Sequence, residues 1–209
     1  MFSQAMEELS GNDRILRAAI EAFGRDGVRA TSLKSIATAA GVSPALILHH
    51  FGSKEGLREA CDRTVTDAIR TYKSGAMAQG TGMDLLTAMA LVDENRPLLR
   101  YLAKALVDGN PHINDLIDDL IRDAEGYTAD AERAGLIRPS ADPHARMVVL
   151  TLWSLGTLVL HEQLERLLGA DLLGEKGDIL PYVQAALEIF TDGVFMPDAF
   201  HQLRQPGQE

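Results

Sequence analysis

Cysteine is nearly absent: Cys61 is the only one in 209 residues. A single thiol excludes an intramolecular disulfide framework and fits a reducing cytoplasm. Aromatic residues make up 5% of the chain, and Trp153 is the only tryptophan. No apolar run is long enough to span a membrane. The longest, Met147 to Leu160, carries Thr151, Ser154, Gly156 and Thr157, and reads as a helix buried between a core and a partner subunit. Alternating strand patterns, internal repeats and low-complexity tracts are missing. The chain also shows no nucleophile beside a base, no glycine-rich phosphate loop and no metal-ligand spacing among its six histidines. Enzymatic, metal and cofactor chemistry are therefore not expected.

What is present is 46% hydrophobic and 24% charged, enough to bury a sizeable core. Met1 to Gly11 is polar, without the basic start and apolar core of a signal peptide, and reads as a frayed leader. From Asn12 to Gly27, Ile15, Ala18, Ala19, Ala22 and Phe23 recur at helical spacing, which buries Phe23 against the segment that follows. A long stripe, Leu57, Ala60, Cys61, Thr64, Val65, Ala68, Ile69 and Tyr72, predicts a connecting rod from Ser53 to Gly75. Gly75, Gly80 and Gly82 then mark a boundary. Helical patterns resume at Met83, pause at Asn95-Arg96-Pro97 and stop at Asp108-Gly109. They restart on Asn110-Pro111, running to about Arg133, and again on Asp142-Pro143. Gly169 to Asp178 reads as a loop, Ile179 to Phe195 as the last helix, and Pro197 to Glu209 as a loose tail on which Phe200 and Leu203 are candidates to dock.

The stretch from Thr31 to Leu57 organises the rest. Ser32 is placed to cap a helix with Leu33, Ile36, Ala37 and Ala40 on one side, and Gly41 ends it. Ser43 and Pro44 start a second short helix to Phe51, after which Gly52 ends it and Ser53 caps the next. Helix, glycine-bearing turn and second short helix is the unit that lays its second helix in the major groove of DNA. The alternative is a helical hairpin of the same shape with no DNA contact. A net charge of −10 is adverse for a DNA binder, but its distribution is uneven: Asp13 to Arg63 holds eight basic and six acidic residues. Residues 64–209 hold 12 basic and 22 acidic ones, so the acidity lies in the part expected to face away from DNA.

The runs Ala30 to Ala37, Ala40-Gly41-Val42-Ser43 and His49-His50-Phe51-Gly52-Ser53-Lys54-Glu55-Gly56-Leu57 resemble the DNA-binding signature of the TetR family of bacterial transcriptional regulators. The resemblance covers roughly residues 13–65. It implies an all-α homodimer of about nine helices: a three-helix helix-turn-helix domain over 1–52, a connecting helix over 53–75, and an effector-binding and dimerisation domain over 76–196. It further implies a repressor that binds a palindromic operator, for instance at an efflux or detoxification gene, and is released by a small, largely apolar ligand. Where many members carry a tyrosine in the middle of the recognition helix, this chain has Leu48. The operator sequence therefore cannot be inherited from relatives.

Given that unit, Ser43, Pro44, Ala45 and Leu48 are the positions expected to face the groove, mostly through apolar contact with thymine methyls. His50 and Lys54 suit phosphate contacts, and Ser32 and Lys34 suit the same role at the start of the first helix. His49 either touches DNA or fills the domain surface. For the effector, Met89, Tyr101, Leu102, Leu120, Tyr127, Trp153 and Thr157 are candidates for a pocket, and each also suits an ordinary core. Asp115, Asp118, Asp119 and Asp123 share one helix face, which is either solvated or attractive to a cationic ligand. The helices Met147–Leu160 and Ile179–Phe195 are expected to pair with their copies across a two-fold axis. A DNA-binding or architectural protein without an effector is the rival reading.

Overall fold

The computed structural model describes residues 10–79, 85–109, 113–174 and 177–196, with 76–79 and 85–94 described by their backbone alone. Among them are nine helices and no strands: α1 (Gly11–Ala30), α2 (Leu33–Ala40), α3 (Pro44–Phe51), α4 (Lys54–Gln79), α5 (Leu85–Asp108), α6 (Ile113–Arg133), α7 (Pro143–Val159), α8 (His161–Leu168) and α9 (Leu180–Thr191). The all-helical class is as the periodicities require. Met89, Asn110, Pro111, Gly80, Gly82, Phe200 and Leu203 carry expectations that fall outside the described side chains or residues.

Helix α1 begins where the Ser10 hydroxyl accepts from the Asp13 amide at 3.2 Å. Gly27, at φ 81°, interrupts its helical geometry, and one more turn runs to Ala30. The buried Thr31 hydroxyl then donates to the Gly27 carbonyl at 2.8 Å. The buried side chains Ile15, Ala18, Ala19, Ala22 and Phe23 form the face expected for α1, with Ile20 added.

Two expected breaks are absent. Gly75 lies inside α4, which continues to Gln79, and Pro97 lies inside α5, where Asn95-Arg96-Pro97 suggests an interruption. A helix survives an internal proline when neighbouring packing compensates for one missing backbone bond. Here Arg96 and Arg100, a turn apart on either side of Pro97, fasten α5 to the loop between α8 and α9. Arg96 Nη2 donates to the Gly177 carbonyl at 2.7 Å, and Arg100 Nε to the Leu173 carbonyl at 2.6 Å. The apolar stretch after Met147 ends where expected: α7 runs to Val159 with Leu160 as its C-cap, and α8 leaves at 78° to it. No single helix among the described residues is long and apolar enough to cross a membrane.

Helix α1 packs on α2, α4 and most extensively on α5; α4 packs on α6, and α7 on both α5 and α6. One core of buried residues therefore runs from Ile15, Ile36 and Ile47 through Leu57 and Tyr101 to Leu158 and Ile179. The contact of α1 with α5 is close because position 24 is glycine. A Cβ there would sit 2.9 Å from the Tyr101 backbone nitrogen, nearer than packed atoms tolerate.

Candidate nucleic-acid interface

Backbone chemistry fixes the reading unit. Ser32 and Ser35 form a capping box, the Ser32 hydroxyl accepting from the Ser35 amide at 3.0 Å and the Ser35 hydroxyl from the Ser32 amide at 3.3 Å. Gly41 takes the left-handed conformation, φ 66°, that lets the chain turn without a Cβ clash. Half-buried Val42 donates to the Ala37 carbonyl at 3.0 Å and fills the angle between the helices. The Ser43 hydroxyl caps α3 through the Leu46 amide at 3.2 Å, with Pro44 as its first residue. The Ser53 hydroxyl accepts from the Gly56 amide at 3.0 Å at the start of α4.

Helix α3 is held from one side. Ile47 is fully shut from water, Leu46 and Phe51 pack partly against the core, and Ser43, Pro44, Ala45, Leu48, His49 and His50 are all exposed. Leu48 is 47% exposed, on a helix that has apolar core at its back and solvent at its front. The His49 and His50 rings meet edge to face, 5.5 Å apart, and His50 also leans on Phe51 at 6.1 Å. Ser32 and Lys34 are exposed at the start of α2. Lys54 is half-buried in the first turn of α4, its ammonium 3.5 Å from the Arg29 carbonyl. All nine side chains singled out for DNA contact thus lie on these three helix starts and on the outer face of α3.

The pocket candidates do not converge. Tyr101, Leu102 and Leu120 are buried in the core, Tyr127 is half-buried, and the half-buried Thr157 donates to the Trp153 carbonyl at 3.0 Å. Trp153 faces outward against Phe190, ring centroids 5.2 Å apart. None of these lines either of two open clefts in the structure. One, of about 230 Å³, separates α4 from α6 and is lined by Glu59, Asp62, Asp115 and Asp119 together with Arg58 and Arg63. The other, of about 300 Å³, lies between α1, α5, α7 and the start of α8.

A polar junction between rod and body lies outside every expectation drawn from the sequence. Arg58 is 1% exposed. It donates to Glu55 at 2.6 Å and pairs with Asp62, all on α4. From α5, the Tyr101 hydroxyl donates to Asp62 Oδ1 at 2.5 Å, and its ring faces Phe23 of α1 at 6.5 Å. Burial, with Asp62 adding to it, pushes the Tyr101 hydroxyl well above the ordinary tyrosine range, and burial does the same to the Cys61 thiol. Tyr101 remains a donor and Cys61 an unreactive thiol. The spacing Glu55, Arg58, Asp62 signals an ion-pair ladder on α4, but its partner on α5 has no local signature.

Comparison with known proteins gives this arrangement a context. Residues 15–61 match the model "Bacterial regulatory proteins, tetR family", and residues 93–196 match "Tetracyclin repressor-like, C-terminal domain". The HTH-type transcriptional regulatory protein RaaS of Mycobacterium tuberculosis is 38% identical over 196 residues, covering 93% of this chain and 92% of that one. The chain belongs to the TetR family. The HTH-type transcriptional regulator BetI of Rhizobium meliloti is 38% identical over 79 residues, 37% of this chain and 39% of that one. Among solved structures, a TetR-family regulator from a Rhodococcus species superposes with a TM-score of 0.61 at 21% identity, over 86% of this chain and 97% of that one. This TetR-family chain is accordingly a DNA-binding transcriptional regulator and not an enzyme.

Proposed function

We propose that the protein is a homodimeric repressor whose α3 helices enter successive major grooves of a palindromic operator and whose DNA affinity falls when a small, largely apolar molecule binds the second half. The supporting observation is the outer face of α3, backed by Ile47 and open from Ser43 to His50. Ser43, Pro44, Ala45 and Leu48 meet base edges, while Ser32, Lys34, His50 and Lys54 hold phosphates and His49 borders the two groups. Two-fold pairing through α7 and α9 spaces the heads about one helical turn apart, roughly 34–36 Å. Its support is the apolar surface that α7 and α9 leave in water, Val149, Leu152, Leu187 and Phe190. The regulated gene, an efflux or detoxification gene, is an expectation of the family resemblance, and the cytoplasm is where such an operator is met.

Release follows if the ligand prefers one head spacing. A coupling of about 1–3 kcal/mol lowers operator affinity about 5- to 150-fold, and DNA weakens the ligand equally. A cationic ligand has less support than expected, because Arg58 and Arg63 share the cleft that Asp115 and Asp119 line. The core placement of Tyr101, Leu102 and Leu120 favours the rival, a DNA-binding protein without an effector. Titration of a palindrome from upstream of the gene, across salt and with a panel of apolar compounds, separates the two. Lys54→Ala is expected to weaken all sequences alike and to reduce the salt slope by about one for each phosphate it no longer neutralises, whereas Leu48→Ala shifts sequence preference. A specificity change in Lys54→Ala with an unchanged slope overturns this docking. Compounds that bind without moving operator affinity leave the effectorless reading.

A further inference from the structure

The cleft of about 300 Å³ between α1 and the body is lined by Ala103, Val107, Leu158, Val159 and Leu173 on its apolar side and by Arg100, Lys104 and His161 on its polar side. Among the described residues no carboxylate lines it, in a chain whose net charge is −10 and whose residues 64–209 carry the whole of that excess. Arg100 is fixed there, because its Nε donates to the Leu173 carbonyl at 2.6 Å, and among the described residues no carboxylate pairs with it. Lys104 is partly neutralised by Asp108 at 2.6 Å. A guanidinium held by a backbone carbonyl at the lining of a partly apolar cleft is suited to a carboxylate. The geometry points to a binding site for a small monocarboxylate with an apolar body, its head on Arg100 and its chain along Val107, Val159 and Leu158.

The size of the cleft bounds the ligand. Its volume equals that of about ten waters, enough for an acid of roughly ten heavy atoms such as octanoate and at the lower end of small-molecule sites. Gly24 of α1 lines the cleft. A molecule seated there touches the helix that carries the reading head and the helix, α5, on which that head rests. The inference deepens the effector reading above and rests on it only for the consequence on DNA, not for the binding itself.

The test is calorimetric titration of the full-length protein with octanoate, octylammonium and octanol. Octanoate is expected to bind, octylammonium not to compete, and octanol to bind more weakly. Arg100→Gln is expected to weaken octanoate by about tenfold or more, the loss of one charge-assisted hydrogen bond, and Arg100→Lys to restore part of it. Since Arg100 also holds a loop, a second variant avoids the fold: Val107 is exposed, so Val107→Asp repels the carboxylate and Val107→Lys attracts it without disturbing the core. No octanoate binding up to about 10 mM, or binding that neither Arg100→Gln nor Val107→Asp changes, overturns the site. If octanoate binds with these dependences and operator affinity stays constant, the site stands and the effector reading fails. If apolar compounds release the operator whatever residue occupies 100 or 107, the effector reading stands and this cleft is not where the effector acts.

Discussion

In the reading head, Ile15, Ala19, Phe23, Ile36, Ala37, Ile47 and Leu57 are shut from water within one chain, whereas α8 and α9 have not one buried residue. Helix α7 likewise shows Val149, Leu152 and Trp153 to solvent. The head is a finished unit: small apolar side chains lock its three helices and side-chain hydroxyls satisfy the helix starts. The body is unfinished in the same sense, since folding leaves it an apolar face of the kind that marks an interface. Each half therefore suits its role. A head must hold its shape against DNA by itself, and a body proposed to pair with a copy can leave core-like surface for the pairing.

The largest expected effect breaks the body's side of this contrast. Phe190 is 56% exposed in the single chain and packs on Trp153. Phe190→Glu should leave the protomer folded, with unchanged helical circular dichroism. In a two-fold interface the substitution acts twice, and a loss of about 2 kcal/mol per anchor raises the dimer dissociation constant roughly a thousandfold. Sedimentation is the measurement. A wild-type monomer at micromolar concentration, or a dimer untouched by Phe190→Glu, removes the pairing through α7 and α9.

Next in size is the head. Ile47 is fully buried and is the one side chain of α3 wholly in the core. Ile47→Ala should cost about 2–5 kcal/mol by cavity formation, read from urea unfolding, while leaving the dimer intact in sedimentation. A loss below about 1 kcal/mol would mean that α3 is not seated as described and that the head is less self-sufficient than the body.

The junction between the two halves comes third. Tyr101→Phe removes one donor from Asp62, which is paired with a buried arginine. The expected loss is about 1–3 kcal/mol, the range for a buried bond to a charged group. It should also loosen operator binding relative to Ile47→Ala variants of equal stability, because Tyr101 touches both α1 and α4. A stability loss with no effect on DNA binding would make Tyr101 a core residue and nothing more.

The two halves also differ in how legible they are from sequence. In the head every boundary is written in local chemistry: Ser32, Gly41, Ser43-Pro44 and Gly52 act within three or four residues of themselves. The body's departures have long-range causes. Pro97 reads as a stop until Arg96 and Arg100 are seen gripping residues more than seventy positions away, and Gly75 until α4 is seen braced on α6. Tyr101 and Trp153 look like pocket residues by composition, and only tertiary packing sends one to Asp62 and the other to the outer surface. The cationic cleft has no sequence signature, since Gly24, Arg100 and His161 come from three distant segments.

The smallest expected effect sharpens the contrast from the body's side. His144, in the first turn of α7, meets Glu125 of α6 at 2.5 Å. The hydrogen bond to Glu125, then its charge, raise the imidazole above its ordinary value of 6.5. A group whose folded value is raised binds its proton more tightly when folded. Its contribution is fully present below the unfolded value and disappears as pH rises through the folded one. The melting temperature of wild type should therefore exceed that of His144→Ala slightly near pH 6, and the gap should close by about pH 9. Both side chains are solvated, so the gap stays small beside the losses above. A gap at His144 that widens with pH would reverse the sign and show that Glu125 does not hold the protonated ring.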